Sequence, residues 1–118
     1  MAGTSMVFVG WHMPRVGREL EAIEHFNSFT GYLDRMQKEG RIDSYEPMML
    51  TPHGGDLTGF VVIRGDHAHL HELRHSEVFL DHVMRAEYLV ENLGIVDGYF
   101  GEAVRVQMAR YLKLMRHA

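Results

Sequence analysis

The order of strand-like and helix-like segments is the feature of this sequence that most limits its fold. An apolar run rich in β-forming residues fills positions 6–13 and is closed by Pro14, a pattern typical of a strand. Apolar residues then recur every three or four positions between Gly17 and Gly40, which predicts an amphipathic helix with Gly40 as its C-terminal cap residue. The chain therefore begins with a strand followed by a long helix.

A predicted hairpin comes next. Two apolar runs at 42–50 and 57–64 are separated by turn-forming residues at 51–56, so we expect two strands joined by a longer loop. Pro47 lies within the first of these runs. Because proline cannot donate a hydrogen bond to a neighbouring strand, it favours an edge position or a bulge for that strand.

The remaining sequence predicts two helices, a strand and a closing helix. Asp66 and Ser76 are suitable N-caps, the first for a short helix over 67–75 and the second for an amphipathic helix that ends at Gly94. The run 95–100 is the fourth predicted strand, after which the chain turns into a final amphipathic helix.

Strand, helix, hairpin, helix, strand is the β-α-β-β-α-β order of a ferredoxin-like α+β domain. We expect one domain spanning residues 1–118, with an antiparallel sheet, helices on one face and a C-terminal helix; the sequence leaves disorder open for residues 1–5. The strands are apolar at nearly every position, which predicts burial on both faces of the sheet. Since the helices cover one face only, a second copy of the same sheet is expected to cover the other in a two-fold homodimer.

Several short segments resemble the dimeric α/β-barrel superfamily, which includes YCII-related proteins and small antibiotic-biosynthesis-type monooxygenases. The resemblance extends over most of the chain and is carried by residues 40–42, 55–60, Leu73, 76–79 and 96–101. It implies a ferredoxin-like dimer, but the superfamily includes cofactor-independent oxygenases, haem-degrading enzymes, isomerases and regulatory domains, so it selects no single function. YCII-related proteins are associated with a His–Asp pair. His25 lies in the helix where such a histidine falls, and no matching aspartate is identified.

Composition excludes several classes of function. The absence of cysteine excludes disulfides, thiolate metal sites and cysteine nucleophiles, and agrees with a cytoplasmic location. The net charge is −4 without a basic block, which argues against a nucleic-acid partner. No apolar run approaches the ~20 residues of a membrane helix, and no secretory signal pattern opens the chain.

Residues 71–75 (H-E-L-R-H) match the H-E-x-x-H motif of zinc proteases. Histidines four residues apart on a helix project to the same side and can share a Zn²⁺ ion, while the glutamate polarises a bound water. Asp81 stands where a third ligand would fall, but Val78 replaces the glycine that the longer motif needs. An exposed helix surface is therefore the favoured interpretation, no metal site is expected, and a zinc peptidase is kept as a remote alternative. The local histidine cluster consists of His67, His69, His71 and His75.

The candidate ligand-binding residues are dispersed along the chain. Trp11 and His12 end the first strand, where an indole and an imidazole can stack on an aromatic ligand and transfer a proton; core or interface packing is the alternative. His53 lies in a glycine-containing loop that can approach a ligand closely or simply form a turn. Arg64 ends an apolar strand and can bind a carboxylate in a bidentate manner or pair with a nearby acid. Further polar candidates are Tyr45, His82 and Tyr99.

These observations lead to two hypotheses of different class. In the first, the protein binds a small apolar or aromatic metabolite and transforms it by cofactor-independent oxygenation or isomerisation, which predicts a sizeable apolar pocket with a few convergent polar groups. In the second, it is a non-catalytic ligand-binding or accessory protein, which predicts a filled cavity and no strongly perturbed titratable groups. No cofactor is expected under either hypothesis, and the sequence does not decide whether the protein is an enzyme.

Overall fold

The computed structural model describes residues 3–117, and its elements follow the predicted order. The strands are β1 (Ser5–Trp11), β2 (Ser44–Met49), β3 (Gly59–Gly65) and β4 (Gly94–Tyr99). The helices are α1 (Glu19–Lys38), α2 (His67–Arg74), α3 (Glu77–Leu89) and α4 (Glu102–Arg116). The chain therefore has the ferredoxin-like α+β architecture, with the second helical region divided into α2 and α3 and with α4 added after β4.

The four strands form one antiparallel sheet in the order β2-β3-β1-β4. β2 is an edge strand, which confirms the position predicted from Pro47. A proline is tolerated there because the missing N–H costs no ladder hydrogen bond on the open side of an edge strand.

The two faces of the sheet have different surroundings. On one face, Val7, Val9, Val61 and Ile63 are buried beneath the helices. Side chains from α1, α2 and α3 complete this core: Phe29, Tyr32, Leu33, Leu70, Leu73 and Phe79. Within residues 3–117, no helix packs on the opposite face, where the rings of Phe8 and Phe60 stack with 5.1 Å between their centroids. We call this second surface the open sheet face; it also includes Met6, Met48, Val62 and Val96.

Helix boundaries follow local capping chemistry. The carboxylate of Asp66 accepts a hydrogen bond from the backbone N–H of His69, and the Ser76 hydroxyl accepts one from the N–H of Phe79. Both predicted N-caps are thereby confirmed. Gly40 follows the end of α1 with a φ of +74°, a conformation that glycine adopts without steric cost.

The predicted end of the α3 helix at Gly94 is wrong. α3 ends at Leu89, because Val90 takes an extended conformation and forms a bridge with Pro14. Asn92 then adopts a φ of +53°, and Gly94 begins β4. The glycine therefore belongs to the strand, and the connection from helix to strand is longer than the periodicity indicated.

Part of the N-terminal segment belongs to the fold. The backbone N–H of Gly3 donates to the carboxylate of Asp43, and Ser5 is the first residue of β1. Gly3 and Ser5 are therefore attached to the sheet, whereas Met1 and Ala2 lie outside the described residues.

α4 follows β4 through Gly101 and contains no buried residue. It is amphipathic, with four basic residues and one acidic residue. Across residues 3–117, no helix has both the length and the hydropathy that crossing a bilayer requires.

Candidate functional site

A cavity of about 400 Å³ lies between the helix-covered side of the sheet and the pair α1 and α3. Its volume falls in the range of small-molecule binding sites. Almost all of its wall is apolar, and the side chains of four lining residues (Trp11, His25, Thr58 and His82) carry a polar nitrogen or oxygen atom. The apolar wall includes Val9, Trp11, Phe26, Phe29, Phe79, Val83, Ala86 and Ile95.

Trp11 forms the sheet side of this cavity. It is the last residue of β1, it lies on the helix-covered side, and its ring contacts Phe26 edge-on at 5.9 Å between centroids. Gly59 lies opposite Trp11 in the β1–β3 register, and a Cβ atom at Gly59 would come within 2.8 Å of the indole. The glycine therefore leaves the space in which the indole lies.

One end of the cavity is closed by the chain segments that follow β1 and α3. The backbone N–H of His12 donates to the carbonyl of Glu91, and the N–H of Glu91 donates to the carbonyl of Met13, both at 2.9 Å. Pro14 and Val90 extend this pairing as a bridge, and both line the cavity. These hydrogen bonds fix the wall without using any polar side chain.

The polar end of the cavity is formed by His25 of α1 and His82 of α3. The Nε2 atom of His25 lies 2.9 Å from the backbone carbonyl oxygen of His82, and the two rings are 5.4 Å apart between centroids. The His82 ring also packs near Phe29 at 5.4 Å and Tyr32 at 5.0 Å. Two imidazoles are thereby held in a largely aromatic environment.

Burial disfavours the protonated form of both imidazoles. Desolvation lowers the pKa of His25, with a smaller lowering from Arg85 and an opposing effect from the hydrogen bond to the His82 carbonyl. Desolvation also lowers the pKa of His82, helped by the charges of His25 and Arg35 and opposed by Asp81. Both rings are therefore held in the neutral form near neutral pH, with a lone pair available to accept a proton.

A second, polar groove of about 360 Å³ shares these two histidines with the cavity. The groove is lined by charged residues of α1 and α3, namely Glu21, Glu24, Asp81 and Arg85. His25 and His82 thus stand between an apolar chamber and a charged surface. This position is suitable for moving a proton between a bound molecule and solvent.

Of the predicted ligand-binding residues, Trp11 lines the cavity and His12 adjoins it. The Nδ1 atom of His12 lies 3.3 Å from the hydroxyl of Thr58, which is part of the wall. His53 lies in the exposed loop before β3, where both of its ring nitrogens bond within the loop. Nε2 donates to the carbonyl of Leu57 at 2.7 Å, and Nδ1 accepts from the N–H of Gly55.

The structure does not bring Arg64 or Tyr99 to the cavity. Arg64 belongs to the open sheet face, and its guanidinium lies 5.5 Å from the centroid of the Phe100 ring. Tyr99 ends the edge strand β4 and is exposed. The nearby carboxylate of Asp97 pairs with Arg74 at 2.7 Å.

The histidine cluster lies on the exposed surface of α2. The rings of His71 and His75 are 4.3 Å apart between centroids, and Nδ1 of His75 donates to the backbone carbonyl of His71. No group of three or more potential metal-ligating side chains converges anywhere within residues 3–117. Asp81, considered as a third ligand, lines the polar groove beside His82.

Sequence reasoning named His25 and His82 separately but did not bring them together. Each histidine stands among apolar residues spaced three or four positions apart, with Ala22 and Phe29 in α1 and Phe79 and Ala86 in α3. A histidine on an otherwise apolar helix stripe is the signal in the sequence that could have pointed to this site. The pairing itself depends on how α1 and α3 pack, which the sequence pattern does not contain.

Comparisons with known proteins agree with this architecture. No protein-family model matches the chain, and no curated protein matches it significantly by sequence. Among solved structures, a hydroxynitrile lyase from Passiflora edulis superposes with a TM-score of 0.67 at 11% identity, covering 85% of this chain and 95% of that one. A dimeric protein of unknown function from Bacteroides fragilis, described as having a ferredoxin-like fold, gives 0.62 at 14% identity, covering 83% and 97%.

A variant of SnoaB, a cofactor-independent oxygenase from Streptomyces nogalater, gives a TM-score of 0.57 at 15% identity and covers 84% of this chain and 93% of that one. At these identities the likeness shows the fold and leaves activity open. The chain therefore has the ferredoxin-like fold that dimeric proteins and cofactor-independent oxygenases also have.

Proposed function

We propose that this protein binds a small, largely aromatic molecule in the cavity and transforms it without a cofactor, with His25 as the general base. The single observation that carries this proposal is the pair His25 and His82 at the polar end of an otherwise apolar chamber. A filled core without titratable groups would have favoured a purely accessory role. The cavity and its two desolvated imidazoles favour acid–base chemistry instead.

The hydrogen bond to His82 identifies the atom of His25 that acts as the base. Because a carbonyl oxygen can only accept a hydrogen bond, Nε2 of His25 must carry a proton. In the neutral ring, Nδ1 then carries the lone pair. The backbone of α3 thus fixes the tautomer, and Nδ1 is the atom that accepts a proton from the ligand.

The cavity also indicates the class of ligand. An apolar wall of this size suits a molecule of one to three rings, held by contacts with Trp11, Phe26 and Phe29. The ligand should place one acidic group, a phenolic hydroxyl or an activated C–H, at the His25 end. Loss of that proton leaves an anion that either reacts with O₂, as in an oxygenase, or is reprotonated at another carbon, as in an isomerase.

The structural neighbours support this proposal as precedents only. A hydroxynitrile lyase and a cofactor-independent oxygenase both use this fold. Their activities show that a ferredoxin-like chain of this size can hold a small-molecule reaction without further domains.

Trp11 provides the direct test, because it is the only tryptophan in the chain and lies in the cavity wall. We would titrate the protein with matched pairs such as 2-naphthol and 2-methoxynaphthalene, following Trp11 fluorescence and thermal stability. The pairs share their ring system, but only the hydroxyl compound can donate a proton to Nδ1. We expect both to bind and the naphthol to bind at least tenfold more tightly.

The matched variant is His25→Gln. A glutamine amide can still donate to the His82 carbonyl but has no titratable nitrogen, so the variant should fold and lose the preference for the hydroxyl compound. Aromatic compounds that leave Trp11 fluorescence and thermal stability unchanged would contradict a ligand site in this cavity. Binding with equal affinity for both members of each pair would favour the non-catalytic binding protein.

We further propose that the protein is a homodimer joined through the open sheet face. The stacked rings of Phe8 and Phe60 and the exposed Val96 give that face an apolar centre, and a structural neighbour with this fold is described as dimeric. The test is Val96→Asp in analytical ultracentrifugation, with Val16→Asp as the control. Both valines are exposed, but Val16 lies in the connection between β1 and α1. We expect Val96→Asp to dissociate the dimer and Val16→Asp to leave it intact. A monomeric wild-type protein would refute the dimer.

A further inference from the structure

α4 is an amphipathic helix whose apolar side is not covered by its own chain. None of its 15 residues is buried. A helix of about 15 residues is only marginally stable in water by itself, so α4 needs another surface to pack against. Five of its apolar side chains share one side of the helix: Val104, Met108, Tyr111, Leu112 and Met115.

The shape of the molecule agrees with a projecting helix. The radius of gyration over Cα atoms is 16.3 Å and the longest dimension is 55 Å. A compact domain of this length would have a radius of gyration of about 13.5 Å. Gly101 redirects the chain after β4 with a φ of +63°, and we call the projecting α4 the arm.

The charge of the arm is opposite to that of the remaining chain. Its four basic residues and single acidic residue give the arm a charge of +3. Because the whole chain has a net charge of −4, the remaining residues together carry −7. A second copy of the chain therefore offers the arm an acidic partner, whereas an anionic membrane would repel the acidic body to which the arm is attached.

We propose that the arm packs its apolar side against a second copy of this chain and strengthens the dimer. This inference rests on the proposed homodimer but adds a separate contact. The arm begins directly after β4, which is an edge strand of the open sheet face. Pairing of two sheets would therefore start each arm beside the partner, whose residues outside its own arm carry a net charge of −7.

The first experiment compares Val104→Asp with Val106→Asp in the full-length protein. These valines are two positions apart and lie on nearly opposite sides of the helix, and both are partly exposed, at 41% and 58%. An added aspartate near a helix N-terminus does not oppose helix formation, so loss of the helix is not an alternative explanation. We expect Val104→Asp to raise the dimer dissociation constant at least tenfold and Val106→Asp to change it less than threefold.

The second experiment identifies the chain against which the arm packs. The chain has no cysteine, so Met108→Cys provides a single attachment point for a benzophenone photo-crosslinker on the arm. Mixed dimers of labelled Met108→Cys chains and ¹⁵N-labelled unmodified chains should give adducts between light and heavy peptides. Adducts confined to the light chain would overturn the proposal, because they would place the arm on its own subunit.

Three further outcomes are decisive. A dimer that is unaffected by Val104→Asp overturns the arm contact and leaves the sheet-face dimer standing. A wild-type monomer overturns both. Binding of the wild-type protein to phosphatidylserine-containing vesicles, with loss of the light–heavy adducts, would identify a membrane as the preferred partner of the arm. None of these readouts involves ligand binding in the cavity, so they are independent of the proposed activity.

Discussion

The Nε2 atom of His25 and the backbone carbonyl oxygen of His82 lie 2.9 Å apart across the junction of α1 and α3. This hydrogen bond joins two helices and fixes which nitrogen of His25 holds a proton. The ring of His82 is packed in turn near Phe29 and Tyr32. The same pair of residues therefore holds α1 against α3 and determines which nitrogen of His25 can accept a proton.

A loss of stability at low pH should follow from this pair. Burial lowers the pKa of both histidines in the folded state, whereas free histidine titrates near pH 6.5. The unfolded chain then binds protons at a higher pH than the folded chain, so the free energy of unfolding rises with pH. The contribution is present above about pH 6.5 and is lost as the pH falls through the lowered folded-state values.

The measurement is urea denaturation at pH 7.5 and at a series of lower pH values. The double variant His25→Gln/His82→Gln should show a shallower decrease in stability with falling pH than the wild type. His67→Gln, at the exposed start of α2, is the control and should keep the wild-type slope. Equal slopes in the double variant and the wild type would show that the pair does not control acid stability.

Catalysis should depend on His25 more strongly than binding does. For a ligand that the proposed screen identifies, we expect His25→Gln to lower kcat by about 10²-fold or more, the usual contribution of a positioned general base. KM should rise by a smaller factor than kcat falls, because the variant loses the contact with Nδ1 but keeps the apolar wall that holds the ligand. An equal loss of kcat in the His67→Gln control would contradict the role of His25 as a base. So would a His25→Gln variant in which KM changes and kcat does not.

The fold was largely predictable because it depends on local patterns. Asp66 and Ser76 are capping residues whose role depends on neighbours three positions away, and both predictions were confirmed. The edge position of β2 followed from the missing N–H of Pro47. Gly94 was assigned wrongly because a glycine after an apolar stripe is typical of a helix end, whereas the bridge between Val90 and Pro14 ends the helix earlier.

The site was less predictable because it is assembled from distant parts of the chain. His25 and His82 are 57 positions apart, and no spacing rule links them. Trp11 was identified because a lone tryptophan at a strand end is distinctive in the sequence. Arg64 was expected beside a ligand, but the alternation of side chains along β3 places it on the open sheet face.

Replacement of Gly59 should disturb the position of Trp11. A Cβ atom at this position would lie 2.8 Å from the indole and 3.1 Å from the Met48 carbonyl oxygen, so the indole must move. We expect Gly59→Ala to destabilise the protein by about 1–3 kcal/mol, to shift the Trp11 emission spectrum and to weaken aromatic ligands. Gly94→Ala is the control, because no atom lies within 4 Å of the added carbon. It should leave the stability, the Trp11 emission spectrum and the affinity for aromatic ligands unchanged.

Filling the cavity should raise the stability of the protein and weaken ligand binding. Ala86 lines the cavity from α3, and a leucine there would occupy space that is otherwise available to a ligand. Filling a natural cavity typically raises the free energy of unfolding by about 0.5–2 kcal/mol, so Ala86→Leu should be more stable than the wild type in urea denaturation. The same variant should bind aromatic ligands at least tenfold more weakly, as measured by Trp11 fluorescence.

Ala68→Leu, on the exposed surface of α2, controls for the added hydrophobic volume. A stabilised Ala86→Leu protein with undiminished affinity would place the ligand elsewhere, whereas gain of stability with loss of binding would show that the cavity is kept open for a ligand.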